Sequence, residues 1–414
     1  MSAPQPAAGG RHAARRTTTS DTGAVARIIA SHGVAAIGMS LPWPLLLLVV
    51  WQHTDDQWLL GLAGAARMLP YVLFSWVSGR LADHARRDLV VRASLVARVA
   101  LLLGTAGALG LDRIGLAVVL AALAIAVATP AYPALAAAMP GIAGEERRWT
   151  TDLLVTVEVA SFVVGPALGG LLLITSAGDA AALVAAALVG AALLLFTGVR
   201  LPRPVAHDSA GPAPAMLPVL RGSAAVRGAL WSVSAVNAAL AAVAIALLPL
   251  AEQAWTGGGD DGARAYGLAT GVLGFGALAG PLLGPLGRTQ GARVRAGFVL
   301  MGVALLLVVP TPGPAWAFLP LAAVAAAAVL VESAATGLLQ EHAPDEVRAT
   351  ILGVGDAAMV AAAMLSSLLA PPIAAAIGPG PFLALVALGC VASVRLALRA
   401  RVEAAVPDPD PVPA

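Results

Sequence analysis

A chain of 414 residues that is 59% hydrophobic and only 12% charged, with a mean hydropathy of +0.86, has too little polar surface to cover a water-soluble core. A formal net charge of +2, with the basic residues dispersed among breaks between apolar runs, argues against a nucleic-acid partner. One cysteine, Cys390, cannot form an intramolecular disulfide and reads as a small apolar filler; all 25 basic residues are arginine, which reads as coding bias.

Residues 1–24 are rich in Ala, Arg and Thr without the apolar stretch of a cleavable signal, and are read as a disordered cytoplasmic tail. Beyond them apolar runs recur at about 20 residues, the length of helix that crosses a hydrocarbon core. Twelve spans are predicted, at 28–51, 58–78, 89–110, 114–138, 150–174, 179–198, 228–250, 265–286, 294–310, 315–338, 349–375 and 381–399. Their Ala-, Leu- and Val-rich runs do not alternate polar with apolar residues, so a transmembrane barrel is excluded. The expected fold class is therefore all-α: an integral membrane protein of twelve transmembrane helices in two six-helix bundles.

The longest internal break, RLPRPVAHDSAGPAPAMLPVLRGSA from Arg200, divides those spans six and six. Its Pro and Ala content reads as a linker. The expected division is an N-terminal bundle at 25–200, a cytoplasmic linker at 201–224, a C-terminal bundle at 225–400 and a second disordered cytoplasmic tail at 401–414. A weak repeat crosses the linker: GEERRWT at 144–150 matches PDEVRAT at 344–350 at Glu146/Glu346, Arg148/Arg348 and Thr150/Thr350. Arg27 and Arg227 also share an offset before the first span of each half. Parallel repeats of this kind are the pattern of rocking-bundle transporters.

Arginine sets the expected orientation. The N-terminal tail and alternate breaks carry Arg11, Arg15, Arg16, Arg80, Arg86, Arg87, Arg147, Arg148, Arg200, Arg203, Arg221, Arg288, Arg293, Arg295 and Arg401, whereas the intervening breaks hold only Arg113 and Arg264, alongside acids such as Asp55, Asp56, Asp260 and Asp261. The positive-inside rule then places both termini in the cytoplasm, in a multi-pass protein of the cell membrane.

Two stretches carry a resemblance. SGRLADHARRD, joining the second and third spans, resembles the signature loop of the major facilitator superfamily through Gly79, Leu81, Asp83, Arg86 and Arg87, although its Arg pair lies one residue closer to Asp83 than in the usual pattern. The resemblance implies a gating role for that loop. GPALGG at 165–170, preceded by Ser161 where the family pattern has glycine, resembles the fifth-helix motif of the family's drug antiporters: Gly165, Pro166, Gly169 and Gly170. The whole pattern is similar to the exporter branch that includes enterobactin, macrolide and multidrug exporters.

At 100° per residue, Gly165 and Gly169 each fall within about 20° of Glu158 on one helix stripe, so a carboxylate adjoins a smooth groove. Pro166 removes one hydrogen bond from the same helix. A second glycine set, Gly276, Gly280 and Gly284 with Pro281 in the eighth span, is the expected partner in a close seam between the halves.

Ionisable residues inside spans are functional candidates by default. Five stand out as proton-coupling candidates: Arg67, Arg98, Glu158, Glu332 and Asp356. Glu332 and Asp356 lie at similar depth on consecutive helices and are expected to titrate as a coupled pair. A structural reading competes, in which Arg67 or Arg98 satisfies Glu158. His32 and Asn237 read as polar residues satisfied by their own backbone.

No phosphate-binding loop, metal-ligand spacing or hydrolase elbow appears, so no metal, cofactor or catalytic residue is expected and the proton gradient is the expected energy source. The functional expectation is a monomeric secondary transporter in the lipid bilayer, exporting a small amphipathic molecule in exchange for protons. Its alternatives are an importer or facilitator on the same fold and, in another class, a membrane sensor or intramembrane enzyme. Short motifs do not encode the substrate.

Overall fold

The computed structural model describes residues 22–74, 85–142, 147–175, 180–202, 216–256, 259–343 and 348–404. Hydrocarbon offers backbone amides no partners, so a spanning segment must satisfy them internally. Every regular element among the described residues is accordingly helical.

The first span is two helices, α1 (Thr22–Ser40) and α2 (Trp43–His53), separated by a turn at 41–42 where Pro42 and Pro44 lack donors. Helix α3 (Gln57–Ala66) begins at Asp56, whose Oδ1 accepts from the Trp58 amide at 2.9 Å, and helix resumes over 69–74. There follow α4 (Arg87–Gly110), α5 (Ile114–Ala128), α6 (Ala131–Ile142), α7 (Arg147–Leu173) and α8 (Ala181–Leu195). Pro166 does not interrupt α7. A short helix, α9 (Met216–Gly222), lies inside the predicted linker, so that segment is not irregular throughout.

Helix α10 (Ala224–Pro249), capped by Ser223, widens after Pro249 into a π-helical turn, Leu250–Trp255. Helix α11 (Gly259–Ala277) continues at a 54° bend into a 3₁₀ turn, Gly280–Leu286, where Pro281 and Pro285 remove donors. The chain ends in α12 (Gln290–Val308), α13 (Pro314–His342), α14 (Arg348–Ile377) and α15 (Pro379–Ala404).

Seven helices of the described residues are long and apolar enough to cross a membrane, and the bent pair makes an eighth. Shorter apolar helices at Val164–Leu173, Ala181–Leu195 and Pro379–Arg395 fall within other predicted spans. Large side chains such as Trp43, Phe196 and Phe298 are fully buried, while Leu194, Leu282 and Leu319 point outward. The chain is thus an all-helical multi-pass membrane protein, although length and apolarity alone do not reach the predicted count of twelve.

Before the 203–215 break, α1 packs on α7 and α8, and α4 on α5 and α8; after it, α10 packs on α13, α14 and α15, and α12 on α13 and α15. The two sets meet chiefly where α7 crosses α11 and where α3 crosses α14. Both crossings are built on glycine. A Cβ on Gly170 would lie 2.6 Å from the Gly267 carbonyl oxygen, and one on Gly64 3.3 Å from Ser367 Cβ; Gly61 faces the Leu368 carbonyl. These contacts lie toward the end of the molecule that bears the 54–56 turn.

The predicted seam is corrected in register. Gly165 and Gly169 do not face α11 but the end of α1: a Cβ on Gly165 would lie 2.5 Å from Ser40 Cβ, and Gly169 abuts the Leu41 carbonyl. Gly170 takes α11, through Gly267 rather than Gly276, Gly280, Pro281 and Gly284. Residue 276 lies about 14 Å farther along the axis than 267, beyond the reach of the crossing. Gly276 instead admits Ala322 and Gly280 admits Val329, both on α13, while Gly284 has no neighbour close enough to need a glycine.

Arg27 donates from Nε to the Leu195 carbonyl at 3.1 Å and bonds the Thr197 carbonyl, tying the start of the first span to the end of α8. Arg227, at the same offset, bonds the carbonyl of Arg221 at the end of α9. The offset is shared but the partners are not.

Candidate functional site

Helix α7 places Glu158 about 17 Å along its axis from Arg147. Opposite it, α1 offers Gly33, where a Cβ would sit 2.6 Å from Val157 Cγ1, so the helices can approach closely. That approach brings His32 Nε2 to 2.6 Å from Glu158 Oε2. The two side chains are only 7% and 21% exposed, so water screens the pair weakly. The Ser161 hydroxyl donates to the Glu158 carbonyl at 2.6 Å, a local bond one turn along.

Around the pair lie aromatic and cationic groups. The Tyr132 ring of α6 stands 5.6 Å from the His32 ring. Tyr71 lies in the fields of Glu158, Arg67 and Arg98 together. Arg98 on α4 is 4% exposed, and its Nε has no hydrogen-bond partner among the described residues. The polar partner of Glu158 is therefore His32, and no ion pair joins it to Arg67 or Arg98 among the described residues. Arg67 lies within electrostatic reach of Tyr71 and of Tyr266 on α11.

A second cluster sits on the later helices. Glu332 on α13 lies within electrostatic reach of Asn237 on α10 and of Asp356 on α14. Asn237 Nδ2 also donates to the Val233 carbonyl at 2.9 Å and approaches Met359 Sδ at 3.7 Å. Asn237 thus has the expected backbone bond, and a side-chain neighbour on α14 as well. Tyr132 lies in the fields of both Glu158 and Asp356, so it stands between the clusters.

Of the predicted loop, Gly79, Leu81 and Asp83 lie outside the described residues. Arg87 begins α4, and Arg86 Nη2 meets Asp88 Oδ2 at 3.1 Å. Among the described residues no group of three or more His, Cys, Asp or Glu could hold a metal ion.

Sequence reasoning expected His32 to be satisfied by its own backbone, where the structure pairs it with Glu158, and it passed over all three tyrosines of the chain, Tyr71, Tyr132 and Tyr266. Scarcity was the available signal: each of the three lies in the field of a charge buried within the spans.

Chemically, the His32–Glu158 pair can hold one proton on either atom. Moving that proton across 2.6 Å interconverts a neutral pair and an ion pair. Removing it leaves a carboxylate beside a neutral imidazole, a site with net negative charge.

The Major Facilitator Superfamily model matches residues 28–365. Among solved structures, an auto-inhibited peptide transporter of the POT family is similar at 16% identity with a TM-score of 0.65, covering 94% of this chain and 99% of that one. A bacterial homologue of the human lysosomal transporter Spinster, in an inward-facing unoccupied conformation, is similar at 14% identity and a TM-score of 0.64, covering 93% and 97%. The human organic anion transporter MFSD10 (TETRAN) is similar at 14% identity and a TM-score of 0.61, covering 91% and 99%. No curated protein matches the sequence. Identities this low speak to the fold alone, and the fold agrees with the family match: the chain belongs to the major facilitator superfamily.

Proposed function

We propose that this chain is a proton-coupled exporter of a small amphipathic molecule, working by alternating access between two six-helix bundles at 25–200 and 225–400. The reading also takes twelve spans, a monomer in the cell membrane, and both termini in the cytoplasm. One observation carries it: a His–carboxylate pair within spans, on the helix whose glycines form both the α1 contact and the seam with α11. Rocking the bundles moves α7 against α11 and changes the surroundings of Glu158, which links proton exchange to conformation. A substrate that reaches the deprotonated pair meets a negative site, and a proton that returns displaces that attraction. In this reading Glu332, Asp356, Arg67 and Arg98 supply further contacts for substrate or proton, and the 79–87 loop serves as a gate.

The test is flux. Inverted vesicles carrying the protein, given an imposed pH gradient and a panel of antibiotics, siderophores and metabolites, should accumulate at least one amphipathic compound, with proton release from the lumen. Uptake in right-side-out vesicles driven by the same gradient identifies an importer, and gradient-independent equilibration a facilitator.

Orientation has its own check. Reporter fusions after Arg87, Arg148, His207 and Arg295 should signal cytoplasm, and fusions after Asp56 and Asp260 the exterior. A cytoplasmic signal from either acidic turn overturns the proposed span map.

A further inference from the structure

Beside the α3–α14 crossing lies a cavity of about 190 Å³, remote in sequence from the His32–Glu158 pair. Its walls come from both packing sets: Trp51 and Gln57 from one, Pro249, Gln253, Pro371 and Ala375 from the other. No lining residue is ionisable. An ion entering it would lose water without gaining a counter-charge, so charge is selected against. The indole of Trp51 and the proline rings offer flat apolar faces, and the two glutamines offer carboxamides. Gln57 Nε2 donates to the Asp55 carbonyl at 3.2 Å, which orients that amide. For Gln253, which sits on the π-helical turn, no side-chain bond is seen among the described residues.

Size narrows the ligand further. An apolar cavity of about 150 Å³ accepts benzene, whereas drug-sized ligands need roughly 300 Å³ or more. The space therefore suits one ring with one polar group. Because its walls belong to helices that meet at Gly61 and Gly64, parting the seam takes the site apart. A ligand that needs both walls favours the conformation in which they touch.

We infer that this end of the molecule carries a second ligand site, for an uncharged single-ring compound bearing an amide or comparable group, and that its occupancy holds the α3–α14 seam shut. The site shares no lining residue with the His32–Glu158 pair, so its existence is tested separately from proton coupling.

Benzamide is the probe, with benzoate and benzylammonium as charged analogues, on the purified full-length protein in nanodiscs. Calorimetry should show saturable benzamide binding, with both charged analogues at least about tenfold weaker. Gln253→Leu, at an exposed position, should weaken benzamide about tenfold, the usual effect of losing one hydrogen bond of this kind. Ala375→Phe, which fills the space, should abolish binding. In a Cys390→Ala background, a thiol introduced by Ser367→Cys reports opening of the seam, and benzamide should slow its labelling about tenfold at saturation. No binding, equal binding of benzoate, or full binding in both Gln253→Leu and Ala375→Phe overturns the site. Benzamide binding without slower labelling overturns its hold on the seam.

Discussion

Glu158→Gln should lower proton-driven flux about 100-fold, the low end of what losing a positioned proton carrier costs, while expression and substrate binding stay near wild type. The amide keeps the size of the carboxyl and can still donate to a neutral His32 across the 2.6 Å contact, so the α1–α7 packing at Gly33 has no reason to change. Only the ability to take and release a proton is removed. Glu158→Leu differs, because it leaves a His32 ring that is 7% exposed without its partner, a loss of about 1–3 kcal/mol. The informative comparison is therefore Gln against Leu: coupling lost in both, stability lost only in Leu. Proton-driven flux at the wild-type level in Glu158→Gln would assign the proton to Glu332 and Asp356. Loss of folded protein in Glu158→Gln would make the carboxylate structural.

Gly170→Val should uncouple the two ends of the molecule. Its Cβ would lie 2.6 Å from the Gly267 carbonyl oxygen and 3.0 Å from Thr270 Cβ, and the first of these is backbone that no rotamer change can move. Overpacking costs roughly 1–3 kcal/mol, and only conformations with α7 and α11 in contact bear it. At the upper end of that range the open-seam population rises about 100-fold. A Gln57→Cys probe in a Cys390→Ala background should label faster in Gly170→Val, and transport should fall at least about tenfold. Gly190→Val is the control, since nothing lies within 4 Å of its would-be Cβ. Equal labelling and equal transport in the two valine variants would remove the seam from the transport cycle.

The helices were legible because a 20-residue apolar run has few alternatives to a spanning helix. The stripe of Glu158, Gly165 and Gly169 was legible too, since periodicity alone puts them on one face, and that face does meet one neighbour. Which neighbour was not legible. Small-residue motifs state that something comes close, and the crossing point of two helices depends on tertiary packing that no local pattern encodes. Gly276, Gly280 and Gly284 were the expected partners, yet they lie past the crossing, which Gly267 makes instead. His32 was assigned the wrong partner for a related reason. A lone histidine in an apolar helix can be satisfied locally, and its carboxylate partner stands 126 residues away. The bend at 278–279 could be expected from Pro281, whereas the π-helical turn at 250–255 follows no comparable sequence signal beyond Pro249.

Helix α8 has 15 residues, so its regular part rises only about 22 Å, against a hydrocarbon core of about 30 Å. Its neighbours α1 and α4 have 19 and 24 residues. Leu183 and Leu194, both exposed, mark the outer face of that short helix. A bilayer meeting this flank must therefore thin locally or leave polar turns in contact with acyl chains, at a cost of a fraction of a kcal/mol per ångström of mismatch. The thin flank makes membrane thickness a variable of the protein's energetics. Lipids with shorter chains relieve the mismatch on one side of the molecule only, so they would collect beside α8 rather than form a uniform annulus.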